Sequence, residues 1–225
     1  MINGRRFDGR RQAGQLLAAK LLDYRGTSNL LVLGLPRGGV PVAFEVAKAL
    51  DAPLDVFVVR KLGIPAYPEL AMGAVATGGV RVLNPRVISE LRVSEDVIER
   101  VAAKETEELE RREREYRGSR PPPRVRGATV IIVDDGLATG ATMRAAVQSL
   151  RLQDPAKVIV AVPTGASRTC KALRDEADEV ICLIEAEHFY SVGQWYKDFE
   201  QLTDDEVSAL LEEASMIAKQ HPGQT

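Results

Sequence analysis

Apolar positions along this chain follow two rhythms. Short, largely apolar runs occur at 30–34, 54–59, 129–133, 158–162 and 179–184, dominated by Leu, Val and Ile. A run without polar alternation marks a strand covered on both faces. Between the runs, apolar residues return at helical spacing. They do so at Phe7, Ala13, Leu16, Leu17, Leu21 and Leu22 within 6–24, then from Val40 to Leu50, Thr142 to Leu152 and Ser167 to Asp175. Asp8 is placed to cap the first of these helices and Gly26 to end it. Strands alternating with helices predict an α/β fold: about five parallel strands in one sheet, flanked by helices.

Two stretches depart from this alternation. From Leu62 to Asn84 the composition turns to Gly, Pro and Ala, and Ala71–Ala76 and Val80–Leu83, joined by Thr77-Gly78-Gly79, read as a hairpin. Ser94 to about Arg117 reads as one long charged helix, with Ser94 at the N-cap and Glu95 and Asp96 in the first turn. Glu107–Arg111, Glu108–Arg112, Glu110–Arg114 and Glu113–Arg117 have the favourable acid-first order. Val97, Ile98, Val101, Leu109 and Tyr116 are left as a narrow packing stripe. Pro121-Pro122-Pro123 ends the excursion stiffly. A last helix is expected from Asp204-Asp205 to about Lys219, with His221 to Thr225 frayed. The whole of 1–225 is expected to be one domain: a core at about 28–186, a hairpin loop at 62–84, a helical insertion at 85–126 and a C-terminal segment at 187–225.

The chemistry concentrates after two of the strands. Val130-Ile131-Ile132-Val133 runs directly into Asp134-Asp135-Gly136-Leu137-Ala138-Thr139-Gly140-Ala141-Thr142, with a helix opening at about Ala141. In an open α/β sheet, ligands sit outside the carboxyl ends of the strands, where the next helix presents free N–H groups. Those groups suit a phosphate, and Thr139 and Thr142 add hydroxyl donors. Ionised Asp134 and Asp135 accept hydrogen bonds, so they suit sugar hydroxyls or a hydrated Mg²⁺. A receiver-like acidic pair that binds Mg²⁺ alone would not continue into Thr-Gly-x-Thr at a helix start. After the strand at 30–34 comes Leu35-Pro36-Arg37-Gly38-Gly39-Val40-Pro41. Its glycines let a ligand approach the main chain, and Arg37 offers a bidentate fork. Arg60 and Lys61 end the second run, where they face the same crevice or form a solvated charge pair.

Val130 to Thr142 resembles the phosphoribosyl-pyrophosphate (PRPP) motif of type I phosphoribosyltransferases: an apolar strand, two acids, and a loop ending Thr-Gly-x-Thr. The resemblance implies that family's Rossmann-like fold, PRPP as co-substrate and Mg²⁺. It places Asp134 and Asp135 on the ribose hydroxyls and Gly136, Ala138, Thr139, Gly140, Ala141 and Thr142 around the 5-phosphate. Arg37-Gly38-Gly39 resembles the family's pyrophosphate loop, often built on a cis peptide, and Arg60 and Lys61 stand where relatives commonly carry a cation for pyrophosphate. The implied catalytic residues are Asp134, Asp135, Arg37 and Lys61, with no direct protein ligand for a metal: Mg²⁺ would arrive with PRPP and meet the acids through water. The reaction implied is attack of a nitrogen acceptor, a nucleobase, on C1 of PRPP with release of pyrophosphate.

By position, 62–84 corresponds to the family's mobile loop, from which Tyr67 and Glu69 could reach the ligand, and 187–225 to the hood that selects the base. In a chain with 5% aromatic residues, Phe189, Tyr190, Trp195, Tyr196 and Phe199 form a dense local group. Phe189, Tyr190 and Trp195, with His188 beside them, are base-binding candidates; an aromatic mini-core pinning the C-terminal segment is the alternative. The acceptor stays open, as in a bacterial and archaeal group of phosphoribosyltransferases of unassigned substrate that the chain resembles. The same fold also hosts regulators that bind PRPP or nucleotides.

Charge narrows the partners. Net charge is −2 and acids alternate with the arginines of 94–117, so no nucleic-acid face is expected. No apolar run reaches membrane-spanning length, the N-terminal stretch with Arg5, Arg6, Arg10 and Arg11 does not read as a signal peptide, and Cys170 and Cys182 read as reduced thiols. The expectation is a cytoplasmic protein acting on small molecules, with self-association left open.

Overall fold

The computed structural model describes residues 6–65 and 67–220. In chain order the elements are α1 (Arg10–Lys20), β1 (Leu30–Gly34), α2 (Gly39–Leu50), β2 (Leu54–Val56), β3 (Val59–Ile64), β4 (Tyr67–Ala76), β5 (Val80–Leu83), α3 (Pro85–Glu90), α4 (Glu95–Arg117), β6 (Thr129–Val133), α5 (Ala141–Arg151), β7 (Lys157–Ala166), α6 (Ser167–Leu173), β8 (Glu179–Ala186) and α7 (Asp204–Gln220).

A five-stranded parallel sheet has the order β2-β1-β6-β7-β8. Successive residues of its central strands feed two cores. Leu31, Leu33, Val130, Ile132, Val158 and Val160 pack with Met143, Val147 and Leu150 of α5 and Cys170 and Leu173 of α6. Leu30, Val32, Ile131, Val133, Ile159 and Ala161 pack with Leu17 of α1 and Val42, Val46 and Leu50 of α2. Both faces are covered, which is why these strands read as unbroken apolar runs. The strand order turns back between β1 and β6, and the loops leaving them diverge there into a crevice.

Three expectations need correction. The run at 54–59 is not one parallel strand. It pairs with β1 only through β2, where the Phe57 N–H still donates to the Gly34 carbonyl. One residue later Val58 takes Thr77 as partner: its N–H donates to Thr77 Oγ1, and the Thr77 N–H donates back to its carbonyl. Arg60 and Lys61 therefore lie within antiparallel β3. The expected hairpin exists as β4–β5, but β3 joins it in a separate three-stranded sheet ordered β3-β4-β5. The strand at 158–162 continues to Ala166, so Pro163-Thr164-Gly165-Ala166 is extended rather than a turn.

Smaller differences concern caps and pairs. Gly9 rather than Asp8 occupies the N-cap of α1, and Ser94 holds the N-cap of α4 without a side-chain hydrogen bond. Arg111 turns to Glu108 and Glu115 instead of Glu107, while Arg112, Arg114 and Arg117 pair with Glu108, Glu110 and Glu113 as expected. Before α7, Thr203 and Glu206 form a reciprocal capping box: each backbone N–H donates to the other's side chain. His221 to Thr225 lie outside the described residues, as does the side chain of Glu69. Among the described residues no helix is long and apolar enough to cross a membrane.

A third core joins the two sheets through α4 and α7. Ile98, Ala102, Leu109 and Tyr116 line one stripe of α4 and meet Leu62, Met72 and Val75 of the small sheet and Val207 and Leu211 of α7. At the far end of α4, buried Arg117 donates from Nε to Asp55 Oδ1 (2.8 Å) and from Nη2 to the Val56 carbonyl (2.6 Å), and it pairs with Glu113 at 2.9 Å. Burial pushes the Asp55 carboxyl up, and Arg117 opposes this. Removing the guanidinium would leave the largely buried Asp55 and Glu113 carboxylates without the cation they share. Arg117→Ala should therefore cost roughly 3–5 kcal/mol of folding stability, read as a lower urea midpoint at unchanged slope.

Candidate active site

The loops after β1 and β6 touch at their bases. The peptide bond between Pro36 and Arg37 is cis, as the resemblance anticipated. Gly38 and Gly39 follow, and neither has room for a side chain. A methyl at Gly38 would stand 2.0 Å from Oδ2 of Asp135, and one at Gly39 would stand 2.6 Å from the Val133 carbonyl and 2.9 Å from Asp134 Cα. Arg37 is half-buried and has no ion-pair partner among the described residues. Its charge acts on the phenol of Tyr116, which donates to Asp204.

Asp134 and Asp135 follow β6 directly. The Asp135 N–H donates to Asp134 Oδ1 at 2.8 Å. Loss of water and then the neighbouring negative charge of Asp135 hold the Asp134 carboxyl well above the usual range. Burial also raises Asp135, against the pull of Arg10.

From Gly136 to Gly140 the chain forms a loop ahead of α5, with Gly140 at the N-cap and left-handed (φ 71°). The loop rests on the extension of β7: the Leu137 N–H donates to the Thr164 carbonyl at 2.9 Å and the Ala166 N–H to the Leu137 carbonyl at 2.8 Å. Thr169 Oγ1 donates to the Ala138 carbonyl at 2.7 Å, and its methyl fills the space a Cβ at Gly140 would need. The amides of Ala138, Thr139 and Gly140 make no hydrogen bond among the described residues, and Thr139, Ala141 and Thr142 are exposed. Free amides at a helix start beside exposed hydroxyls are a phosphate-binding arrangement.

A scan against family models matches residues 9–200 to the phosphoribosyl transferase domain. The chain belongs to this family. It is 49% identical over 208 residues to a Mycobacterium tuberculosis H37Rv protein provisionally named a phosphoribosyl transferase, covering 92% of this chain and 47% of that one. It is 28% identical over 142 residues to the Bifunctional protein PyrR of Corynebacterium diphtheriae, covering 63% of this chain and 56% of that one. The chain thus spans about half the length of the curated relatives it matches. Among solved structures, TT1426 from Thermus thermophilus is 44% identical with a TM-score of 0.82, covering 92% of this chain and 98% of that one. The fold is that of the type I phosphoribosyltransferases, a five-stranded parallel sheet flanked by helices.

Within this family fold, the residues expected to act together are only partly gathered. Gly38 and Gly39 meet Asp134 and Asp135 at the switch point, and Arg37 directly precedes them. Lys61 is exposed and shares a cavity wall with Thr142, whereas Arg60 is tied to Glu105 at 2.6 Å. The aromatic group divides. Tyr196 is buried and donates from its hydroxyl to the Asp135 carbonyl at 2.6 Å, packing against Phe7 and Phe199. Phe189 stacks on Trp195 with ring centroids 6.0 Å apart, and the buried Trp195 indole N–H has no partner. Tyr190 and His188 are exposed, Tyr190 at 86%.

Sequence inspection missed Arg10. This α1 residue donates from Nε to Asp135 Oδ2 at 2.8 Å and from Nη1 to the Glu200 carbonyl, with its guanidinium 4.0 Å from the Phe199 ring centroid. It compensates one of the two acids. Asp134 has no cation of its own. Because its folded-state pKa is raised, the folded chain keeps a proton that the unfolded chain releases. Stability is therefore greatest below the ordinary carboxylate range and falls as pH rises through the raised value. Asp134→Asn should remove that loss. The variant should melt a few degrees higher than the parent at neutral pH, with the gap closing toward pH 4. A melting series across pH, without ligand, checks this.

Proposed function

We propose that the chain transfers the 5-phosphoribosyl group of PRPP to a nitrogen of a nucleobase and releases pyrophosphate. The observation that carries the proposal is the meeting, at one switch point, of two carboxylates, a loop of free amides and a glycine loop bearing an unpaired arginine. The 5-phosphate would lie on the Ala138, Thr139 and Gly140 amides and the Thr139 and Thr142 hydroxyls. Asp134 and Asp135 would accept from the ribose hydroxyls, which fits carboxylates whose charge is costly when no donor is present. The acceptor nitrogen forms a bond to C1 as the bond from C1 to the pyrophosphate oxygen breaks, and the leaving group takes the electron pair. Positive charge developing on the ribose is stabilised by the two acids, negative charge on pyrophosphate by Arg37 and Lys61. No covalent nucleophile is required.

Two adjacent carboxylates fit a hydrated Mg²⁺ that keeps most of its waters. Among the described residues, no group of three or more His, Cys, Asp or Glu side chains could hold a metal unaided. Bound with PRPP, Mg²⁺ would neutralise charge on the pyrophosphate oxygens, and Asp134 and Asp135 would meet it through water. Phe189, Tyr190, Trp195 and His188 remain the base candidates, with Phe189 stacked on Trp195. The small sheet would act as the family's closing loop and 187–225 as its hood, all within one domain acting on small molecules in the cytoplasm.

One observation favours a second reading, a PRPP- or nucleotide-sensing regulator of the same fold with little transferase activity. Arg10 already engages Asp135, one of the two acids, and the similarity to the Bifunctional protein PyrR of C. diphtheriae makes that reading concrete. The deciding assay is pyrophosphate release from PRPP and Mg²⁺ with a panel of purine, pyrimidine and nicotinate-type acceptors. Acceptor-dependent release is expected, with Asp135→Asn slower by about tenfold or more while circular dichroism stays unchanged. PRPP binding without release would select the regulator.

A further inference from the structure

The α4 helix, which the family motif does not include, carries a charge pattern that changes along its length. Its C-terminal half is laced with ion pairs at Arg111, Arg112, Arg114 and Arg117. In its N-terminal half, Arg100 and Lys104 have no ion-pair partner among the described residues, although the helix is rich in glutamate. They stand at i, i+4, where like charges repel. Both line a cavity of about 860 Å³ between α4 and β3. Lys61 lies on its opposite wall, also without an ion-pair partner, and the one acid of the lining, Glu105, is already taken by Arg60. Val97 and Val101 form an apolar wall on the helix side. Thr142, the last residue of the phosphate loop, lines the same space, so the cavity adjoins the proposed 5-phosphate site.

Three cations without ion-pair partners among the described residues line one recess and make it favourable to an anion. Ammonium and guanidinium groups bordering one space best suit a ligand with several oxygens of negative charge. We propose that Lys61, Arg100 and Lys104 bind a diphosphate group in this cavity, with α4 acting as a ligand-binding element. The proposal rests on the phosphoribosyltransferase reading only for the identity of the molecule that brings the group. One source is the pyrophosphate end of PRPP. The other is a separate phosphorylated molecule seated beside it.

Calorimetric titration of the full chain with inorganic pyrophosphate, and separately with PRPP and Mg²⁺, tests the proposal in the parent and in Arg100→Gln/Lys104→Gln. Both positions are exposed, so the double variant should keep the parent's melting temperature. Its pyrophosphate affinity should fall by about tenfold or more, and the parent's affinity should weaken as salt is raised. A parallel fall in PRPP affinity identifies the group as the pyrophosphate of PRPP; a fall confined to free pyrophosphate identifies a separate phosphorylated ligand. Pyrophosphate binding sensitive to the double variant in a chain that fails to bind PRPP would uphold the cavity and remove the transferase reading. Equal pyrophosphate affinity in the two proteins, or no binding by the parent, overturns the inference.

Discussion

How closely the ends of β1 and β6 can approach each other is decided by two glycines. Gly38 lies against the Asp135 carboxylate, and Gly39 against the backbone at Val133 and Asp134. The strands are hydrogen-bonded in register along their whole length, Leu30 opposite Thr129 and Gly34 opposite Val133. Their following loops must therefore start within a few ångströms of each other. A side chain at Gly39 would force the backbones apart, and the movement would pass into a sheet packed on both faces. The crevice is narrow at its base because these positions are empty.

Around that constraint the chain assembles support from distant segments. Arg10 of α1, Tyr196 beyond β8, Thr164 of β7 and Thr169 of α6 each fix one part of the acid pair or the phosphate loop. None is adjacent in sequence to what it holds. Tyr196 and Arg10 bring with them Phe7 and Phe199, so a small aromatic cluster forms the back wall of Asp135. Aromatic packing and the surroundings of Asp135 are thus the same structure here, and Tyr196 and Phe199 belong to a mini-core that pins the C-terminal segment.

Local pattern made the parallel sheet legible, because burial on both faces writes itself into each strand as an apolar run. It carried the turn from β6 into α5 as well, where acids, glycines and threonines are gathered within nine residues. It could not reveal that Leu54 to Val59 changes partners. Val58 and Val59 are as apolar as Val56 and Phe57, and the change rests on Thr77, nineteen residues beyond Val58. Arg10 was hidden for a similar reason. The N-terminal arginines look alike in sequence, yet Arg11 pairs with Glu45 of α2 while Arg10 reaches Asp135 across 125 residues. Side-chain partners set by tertiary packing leave no local trace.

The electrostatics of the molecule are uneven in an informative way. Many of the surface charges are matched pair by pair, which individually contributes little stability but keeps local fields small. Two unmatched groups flank the loop ahead of α5. Before the phosphate loop lie Asp134 and Asp135, with one arginine between them; beyond it lie Lys61, Arg100 and Lys104, with their only acid already engaged. The acids stand at the end of β6 and the cations on β3 and α4, and no ion pair joins the two sets among the described residues. A molecule that presents hydroxyl donors to the acids and phosphate oxygens to the loop and the cations would satisfy both at once. Binding would then gain from the opposite polarity brought to each set, and that gain would be largest for a ligand long enough to span the loop.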